Sequence, residues 1–320
     1  MTPLEAKVSV IDPISPAIER VKTILFKPFD LGKWFVIGFC AWLAMLFRGA
    51  GFQLSSFRGF PSTKTGDPDI QEFVSFVADH RLMIVSIVAC VVLFMIALAI
   101  GMMWLSSRGR FMFLYCVAKN KAEVRNPWTM FRRHANSLFV FRLVVALALL
   151  IVSAIPAVAM TALLMTSGRD AATTAVLTML DVFIALCVML PISILFLLVD
   201  KFTSDFVVPI MYIYNCTCVN GWRYFLSILS SNKGRFTLYI LFQIVIGLAI
   251  SAIVLAFTCV TCCCACCLMM IPYIGTVLLL PLFTFERAYS LMYLRQYGPG
   301  FDVFKEPQPQ PVPVDDQWRP

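Results

Sequence analysis

Residues 236–285 contain no charged side chain and read FTLYILFQIVIGLAISAIVLAFTCVTCCCACCLMMIPYIGTVLLLPLFTF. One helix of these 50 residues would be about 75 Å long, more than twice the thickness of a bilayer core. The stretch therefore predicts a hairpin of two membrane-spanning helices. Two further charge-free runs, residues 82–107 and 143–168, each exceed the roughly 20 apolar residues that a helix needs to cross a bilayer.

The composition of the whole chain agrees with a membrane protein. Hydrophobic residues make up 60% and charged residues 14% of the 320 residues, whereas ordinary soluble domains are roughly a quarter charged. Residues 182–199 lie between two aspartates and span if their helix begins near residue 176. Residues 34–47 form the shortest candidate, which spans only if the helix continues past Arg48 towards Gln53. A cleaved signal peptide is the alternative there, but 33 largely polar or amphipathic residues precede it.

The sequence thus predicts an all-α polytopic membrane protein with six transmembrane helices. Residues 1–33 form a cytoplasmic N-terminus, residues 34–305 the membrane domain, and residues 306–320 a Pro-rich tail that is expected to be disordered. The predicted spans are residues 34–53, 82–105, 139–165, 176–199, 236–258 and 268–286. An interfacial amphipathic helix precedes them, with one apolar face made by Ile14, Ala17, Ile18, Val21, Ile24 and Leu25.

Lys and Arg are distributed unevenly between the segments that join these spans. One side of the predicted membrane holds 21 of them and the other side 5. By the positive-inside rule both termini face the cytoplasm, which predicts a multi-pass protein of the cytoplasmic (inner) membrane. The net charge of +8 then favours anionic lipid headgroups on the cytoplasmic side as partners. No nucleic-acid partner is expected, because no nucleic-acid module accompanies the basic residues.

A repeated pattern divides the chain into three. An amphipathic segment precedes each predicted hairpin. A similar four-residue motif, called a phrase below, follows each hairpin. This arrangement predicts three tandem units of one amphipathic helix plus one hairpin. The alternative is that hairpins resemble one another by composition alone. Pro191 and Pro272 each precede the Met of the next phrase by 20 residues, and this shared position predicts a kink at both. The phrases are Met112-Phe113-Leu114-Tyr115, Met211-Tyr212-Ile213-Tyr214 and Met292-Tyr293-Leu294-Arg295.

Residues 206–214, 222–236 and 272–298 carry a resemblance to a known group of proteins. They resemble stretches of an uncharacterised prokaryotic family of six-span membrane proteins, which is similar in layout to the membrane domain attached to some glycerophosphodiester phosphodiesterases. The resemblance rests on aromatic, Pro and Gly residues at the predicted membrane borders. It implies a membrane module. The phosphodiesterase barrel has no counterpart in these residues, so the resemblance implies no hydrolysis and no catalytic residue.

Ionisable groups at membrane depth are the first candidates for function. Asp181 lies about two turns into the fourth predicted span, where a carboxylate needs water or a partner unless it is tolerated near the interface. Arg142 lies near the inner end of the third span, where snorkelling is the alternative to a functional role. Glu286 and Arg287 close the sixth span at the cytoplasmic border and are expected to bind headgroups.

Six cysteines crowd into residues 259–267. Three interpretations stay open: a soft-metal site for copper(I) or zinc, disulfides, and small apolar packing residues. A metal site would use Cys259, Cys263 and Cys267, which share a helix face. We favour packing, because close helix contacts in membranes prefer small side chains. No metal and no cofactor are therefore expected.

Catalytic motifs are absent from the sequence. The two histidines, His80 and His134, fall on opposite predicted sides of the membrane, and no phosphate-binding Gly-rich loop is present. We therefore predict a non-enzymatic transport, assembly or scaffold component. The alternatives are a small-solute or lipid transporter, and a lipid-modifying enzyme that would use Asp181 or the Glu286 and Arg287 pair. Two cytoplasmic elbows, residues 106–137 and 200–235, offer aromatic residues for membrane anchoring or for a protein partner.

Overall fold

The computed structural model describes residues 8–53, 80–166, 171–260 and 271–304. Within these ranges the chain is all-α. Two π-helical turns, Lys22–Phe26 and Thr203–Val207, interrupt the α-helices, and a 3₁₀ turn at Pro299–Phe301 follows the last one. The α-helices are α1 (Ile14–Val21), α2 (Leu31–Gln53), α3 (Arg81–Lys119), α4 (Arg125–Met130), α5 (Arg132–Thr166), α6 (Ala171–Phe202), α7 (Val208–Tyr214), α8 (Cys218–Ser231), α9 (Lys233–Val260), α10 (Pro272–Leu278) and α11 (Leu280–Arg295).

Four helical segments are long and apolar enough to cross a membrane, judged by length and composition. They overlap the second, third, fourth and fifth predicted spans, so the described chain is compatible with a multi-pass membrane protein. The first and sixth predicted spans are not among them. The four segments are Arg81–Lys119, Arg132–Ile155, Val182–Tyr214 and Lys233–Val260.

The first half of α2 packs antiparallel against the C-terminal part of α3. Near one end of this contact, Lys33 Nζ donates a hydrogen bond to Asn120 Oδ1 at 2.8 Å. At the other end, Ser106 Oγ donates to the Ala44 carbonyl at 3.0 Å. Glycine permits the close approach between them, since a Cβ at Gly109 would lie 2.4 Å from the Ala44 nitrogen. This part of α2 therefore buries its apolar side chains against protein, alongside a part of α3 beyond the predicted second span.

The sixth predicted span is divided into two helices. α10 ends at Leu278, and α11 begins at Leu280 with Pro281 in its first turn. Proline has no N–H, and its ring clashes with the carbonyl four residues earlier, so the helix breaks before it. Pro272 begins α10, a favourable position for proline, whereas Pro191 lies inside α6. The two prolines of the predicted kinks therefore occupy different helix positions.

The amphipathic helix α1 buries most of its apolar face against protein. Ala17 and Ile24 are fully buried, whereas Ile18 is 41% exposed. The Arg20 guanidinium donates hydrogen bonds to the last carbonyls of α3, those of Val117 and Ala118, at 2.6–3.2 Å. These bonds satisfy orphan carbonyl groups at the helix C-terminus. The face that the sequence assigned to a membrane surface thus docks α1 within the fold.

An aromatic core joins the ends of the long helices. The Phe206 ring stacks on Phe225 at 5.3 Å and contacts Tyr239 at 5.0 Å, and Tyr239 contacts Tyr293 at 4.6 Å. All four side chains are fully buried. The phrases that follow the predicted hairpins enter the same core, because Met112, Met211, Tyr293 and their buried neighbours belong to it. The tandem duplication itself stays a prediction.

Candidate functional site

A cluster of charged side chains lies beside the aromatic core, where α3, α5, α6 and α11 meet. Its centre is Lys201, near the C-terminal end of α6. Lys201 Nζ lies 3.0 Å from Asp205 Oδ2 and 2.6 Å from Glu286 Oε1. One ammonium group therefore contacts two carboxylates that come from different predicted units, and its side chain is only 16% exposed.

Asp200 forms the second centre of the cluster. Arg110 Nη2 donates to its two carboxylate oxygens at 2.9 and 3.0 Å, and Arg142 Nε lies 3.6 Å from Oδ1. Arg142 Nη1 also reaches the Ser106 hydroxyl at 3.4 Å. The Arg142 side chain is therefore turned into the protein, where only 8% of it is exposed. This arrangement differs from snorkelling towards solvent.

The π-helical turn Thr203–Val207 positions the next part of the cluster. Its hydrogen bonding is shifted by one residue, because the Val208 N–H donates to the Thr203 carbonyl. The following residue, Pro209, has no N–H to donate. The Ser204 carbonyl is thus left without a helical donor, and Arg287 Nη1 donates a hydrogen bond to it. A local irregularity caused by proline therefore creates an acceptor for a buried arginine.

Asp205 also accepts a hydrogen bond from the aromatic core. The Tyr239 hydroxyl donates to Asp205 Oδ2 at 3.0 Å, and Gln243 Nε2 donates to the Tyr239 oxygen at 2.8 Å. Asp205 is 6% exposed and Tyr239 is fully buried. This chain of donors, together with Lys201, compensates the burial of the Asp205 side chain with charge-assisted hydrogen bonds.

Two arginines of the cluster keep buried donors without partners among the described residues. These donors are Nη1 of Arg110, and Nε and Nη2 of Arg287. The side chains are only 4% and 7% exposed. Burial lowers the pKa of Arg287 to about 10, while the nearby Asp205 opposes this shift, so the guanidinium stays charged at neutral pH.

A small cavity of about 40 Å³ opens between these two arginines. Polar groups form one part of its wall and apolar side chains from α2, α3 and α11 form the other. This volume accommodates a few water-sized groups. The lining residues are Ala44, Met45, Arg110, Phe113, Ser204, Asp205, Phe283, Glu286 and Arg287.

Three residues singled out from the sequence, Arg142, Glu286 and Arg287, meet in this cluster. Asp181 lies in α6, but its side chain is outside the described residues, as are Cys263 and Cys267. Cys259 is exposed near the end of α9. Within the described ranges there is no group of three or more His, Cys, Asp or Glu side chains that could hold a metal ion. The proposed interpretations of the cysteine tract are therefore untested.

Sequence reasoning missed Arg110, Lys201 and Asp205. One sequence feature points to Asp205, because Asp205 and Glu286 each precede the Met of a repeated phrase by six residues. Lys201 lies four residues before Asp205, a spacing that brings two side chains together on a helix. Arg110 has no comparable feature, since its partner Asp200 is 90 residues away.

The aromatic residues of the predicted elbows are largely used within the fold. Phe131 and Phe225 belong to the buried core. The Arg108 guanidinium lies between two indoles, 4.2 Å from the ring centroid of Trp104 and 4.7 Å from that of Trp128. Such cation–π contacts fix Trp128 against α3. Less aromatic surface is thus left for lipid or a partner than the sequence indicated.

Comparison with known proteins identifies the class to which the chain belongs. Residues 8–285 match a family of unknown function, DUF7544, and the chain is a member of that family. This agrees with the resemblance to an uncharacterised family. The six-span layout and the likeness to a phosphodiesterase membrane domain stay predictions. No curated protein and no solved structure matches the chain.

Proposed function

We propose that this protein is a non-enzymatic assembly or scaffold component of the cytoplasmic membrane, which binds transmembrane helices of partner proteins along its own spans. The supporting observation is that its long apolar helices leave most of their most apolar segments uncovered by the rest of the described chain. In the most apolar windows of the four candidate spans, 0%, 11%, 0% and 6% of the residues are buried within the described chain. These helices therefore offer apolar surface at membrane depth for other helices.

Two of these surfaces contain small residues at the spacing that allows close helix contact. Ala97 and Gly101 are four residues apart on α3, and Gly247 and Ser251 are four residues apart on α9. A Cβ placed on either glycine would meet no described atom within 4 Å. Small residues at this spacing allow the backbones of two membrane helices to approach closely. We therefore assign partner binding to these two faces.

The position of the charged side chains favours this proposal over a transporter for small solutes. The described cluster lies beside the aromatic core, and most of its charges are paired with one another. A solute pathway would need polar groups along the most apolar parts of the spans as well, away from this cluster. A lipid transporter is the second candidate, because the cavity beside Arg287 combines polar and apolar walls. A lipid-modifying enzyme would place a carboxylate of this cavity against its substrate.

Capture of partners from native membranes tests the proposal. The full chain would carry a photo-crosslinking amino acid at Phe94, an exposed position on α3, and its adducts would be identified by mass spectrometry. We expect one defined set of membrane proteins. Gly101→Leu should reduce recovery of that set at least about tenfold, because a bulky side chain separates the helices. With the crosslinker moved to Ile244, an exposed position on α9, Gly247→Leu should have the same effect.

A matched control is Val92→Leu, which enlarges another exposed side chain of α3 without altering a glycine. Recovery should be unchanged in this variant. The scaffold proposal is contradicted if only lipids are crosslinked, or if the glycine variants recover partners as well as the parent does. Lipid flux catalysed by the purified chain in vesicles would then support the transporter.

A further inference from the structure

The cavity between α2, α3, the π-helical turn and α11 has the features of a binding site for an anion. Arg110 and Arg287 line it, and three of their buried nitrogen atoms have no partner among the described residues: Arg110 Nη1, Arg287 Nε and Arg287 Nη2. A buried donor that lacks an acceptor costs about 1–3 kcal/mol, and more when it carries charge. Three such donors on two arginines that border one cavity are the reason to look for an acceptor group there.

The charged side chains of the cluster indicate the charge of the acceptor group that would bind in the cavity. Four cationic side chains, Arg110, Arg142, Lys201 and Arg287, face three carboxylates, Asp200, Asp205 and Glu286. Among these seven described side chains the cations outnumber the carboxylates by one, which favours an anionic ligand over a cationic one. Guanidinium groups bind phosphate oxygens with strong, charge-assisted hydrogen bonds.

The two carboxylates of the wall do not oppose such an anion with their full charge. Asp205 is bound by Lys201 and by the Tyr239 hydroxyl, and Glu286 is bound by the same lysine. Their negative charge is therefore partly offset by this lysine. Arg110 and Arg287 are therefore the residues of the cluster that retain hydrogen-bond donors without an acceptor among the described residues.

We propose that Arg110 and Arg287 bind one phosphate group in this cavity, either that of a phospholipid headgroup or free phosphate. The cavity of about 40 Å³ has room for a few water-sized groups, as the oxygen atoms of one phosphate group are. The apolar walls from Ala44, Met45 and Phe283 would contact the glycerol end of a lipid. This site goes beyond the scaffold role and does not depend on it.

Native mass spectrometry of the full chain tests the proposal directly. The protein would be purified in detergent without phosphate buffer, and also incorporated into nanodiscs of phosphatidylcholine and phosphatidylglycerol. We expect one retained phospholipid per chain. Arg287→Gln should reduce its occupancy at least about tenfold, because a charge-assisted hydrogen bond contributes about 1.5–3 kcal/mol. The matched control, Arg223→Gln, removes an exposed arginine of α8 and should keep the lipid.

A second experiment, with inorganic phosphate alone, distinguishes a phospholipid headgroup from free phosphate as the ligand. If it raises the unfolding temperature of lipid-free parent protein but not that of Arg287→Gln, free phosphate is a ligand of the site. A second variant, Arg287→Lys, keeps the positive charge but loses the guanidinium donors Nε and Nη2, so it reports on the site if Arg287→Gln fails to fold. Parent protein that retains no phospholipid and does not respond to phosphate overturns the proposal, whatever the variants do.

Discussion

At the scale of single residues, the charged cluster depends on side chains that share partners. Lys201 contacts Asp205 and Glu286, and Asp205 also accepts a hydrogen bond from Tyr239. Because these groups are largely buried, removing one charge leaves its partners without compensation, which costs more free energy than the contact itself contributes. Substitutions within the cluster are therefore expected to be non-additive.

Lys201→Met tests this dependence. The substitution keeps an unbranched side chain but leaves two carboxylates without their ammonium, so we expect the free energy of unfolding to fall by about 2–3 kcal/mol. Lys201→Arg should lose less, because it retains the charge. Thermal unfolding in detergent, followed by circular dichroism, measures both. Lys22→Met, at an exposed position, should change stability by less than about 0.5 kcal/mol; an equal effect at both lysines would contradict a shared role for Lys201.

At the scale of elements, the sequence predicts the helices that are apolar all round better than those that pack in the core. The four candidate spans contain charge-free runs long enough to be recognised by length alone. α2 and α10 are also apolar, but hydropathy does not distinguish contact with protein from contact with lipid. The break at Pro281 could have been predicted from the proline itself. The cluster could not, because Lys201 and Glu286 are 85 residues apart and only tertiary packing joins them.

The contact between α2 and α3 gives the prediction at this scale. In Gly109→Ala the new Cβ would lie 2.4 Å from the Ala44 nitrogen and 2.5 Å from the Leu43 carbonyl carbon. Both are backbone atoms, so the helices must separate, and we expect a loss of about 2–3 kcal/mol of stability. Gly101→Ala is the matched control on the same helix, since its Cβ meets no described atom within 4 Å. It should be neutral or stabilise by up to about 1 kcal/mol; similar stabilities of the two variants would argue against this helix contact.

At the scale of the whole molecule, a packed core is combined with long apolar helices that extend from it. The core contains α1, the first half of α2 and the C-terminal part of α11, and hydrogen bonds such as Tyr289 to the Val10 carbonyl and Lys33 to Asn120 join these elements to the rest of the fold. The extended segments expose large apolar side chains such as Phe94, Ile155 and Leu248. Water would not solvate such segments well, whereas a bilayer would. This separation of a packed core from exposed apolar helices predicts that the core lies at one membrane surface, on the side with most of the Lys and Arg residues.

Membrane topology is therefore the prediction for the molecule as a whole. α3 is 39 residues long, about 58 Å as a helix, so its two ends should emerge on opposite sides of the bilayer. Reporters fused after Pro320 and within residues 200–235 should both be cytoplasmic, because 21 of 26 Lys and Arg are assigned to that side. An alkaline phosphatase fused after His80 should be active outside. If the phosphatase fused after His80 is inactive, and a reporter that is active only in the cytoplasm is active at the same position, then α3 does not cross the membrane. The predicted transmembrane topology would then be wrong.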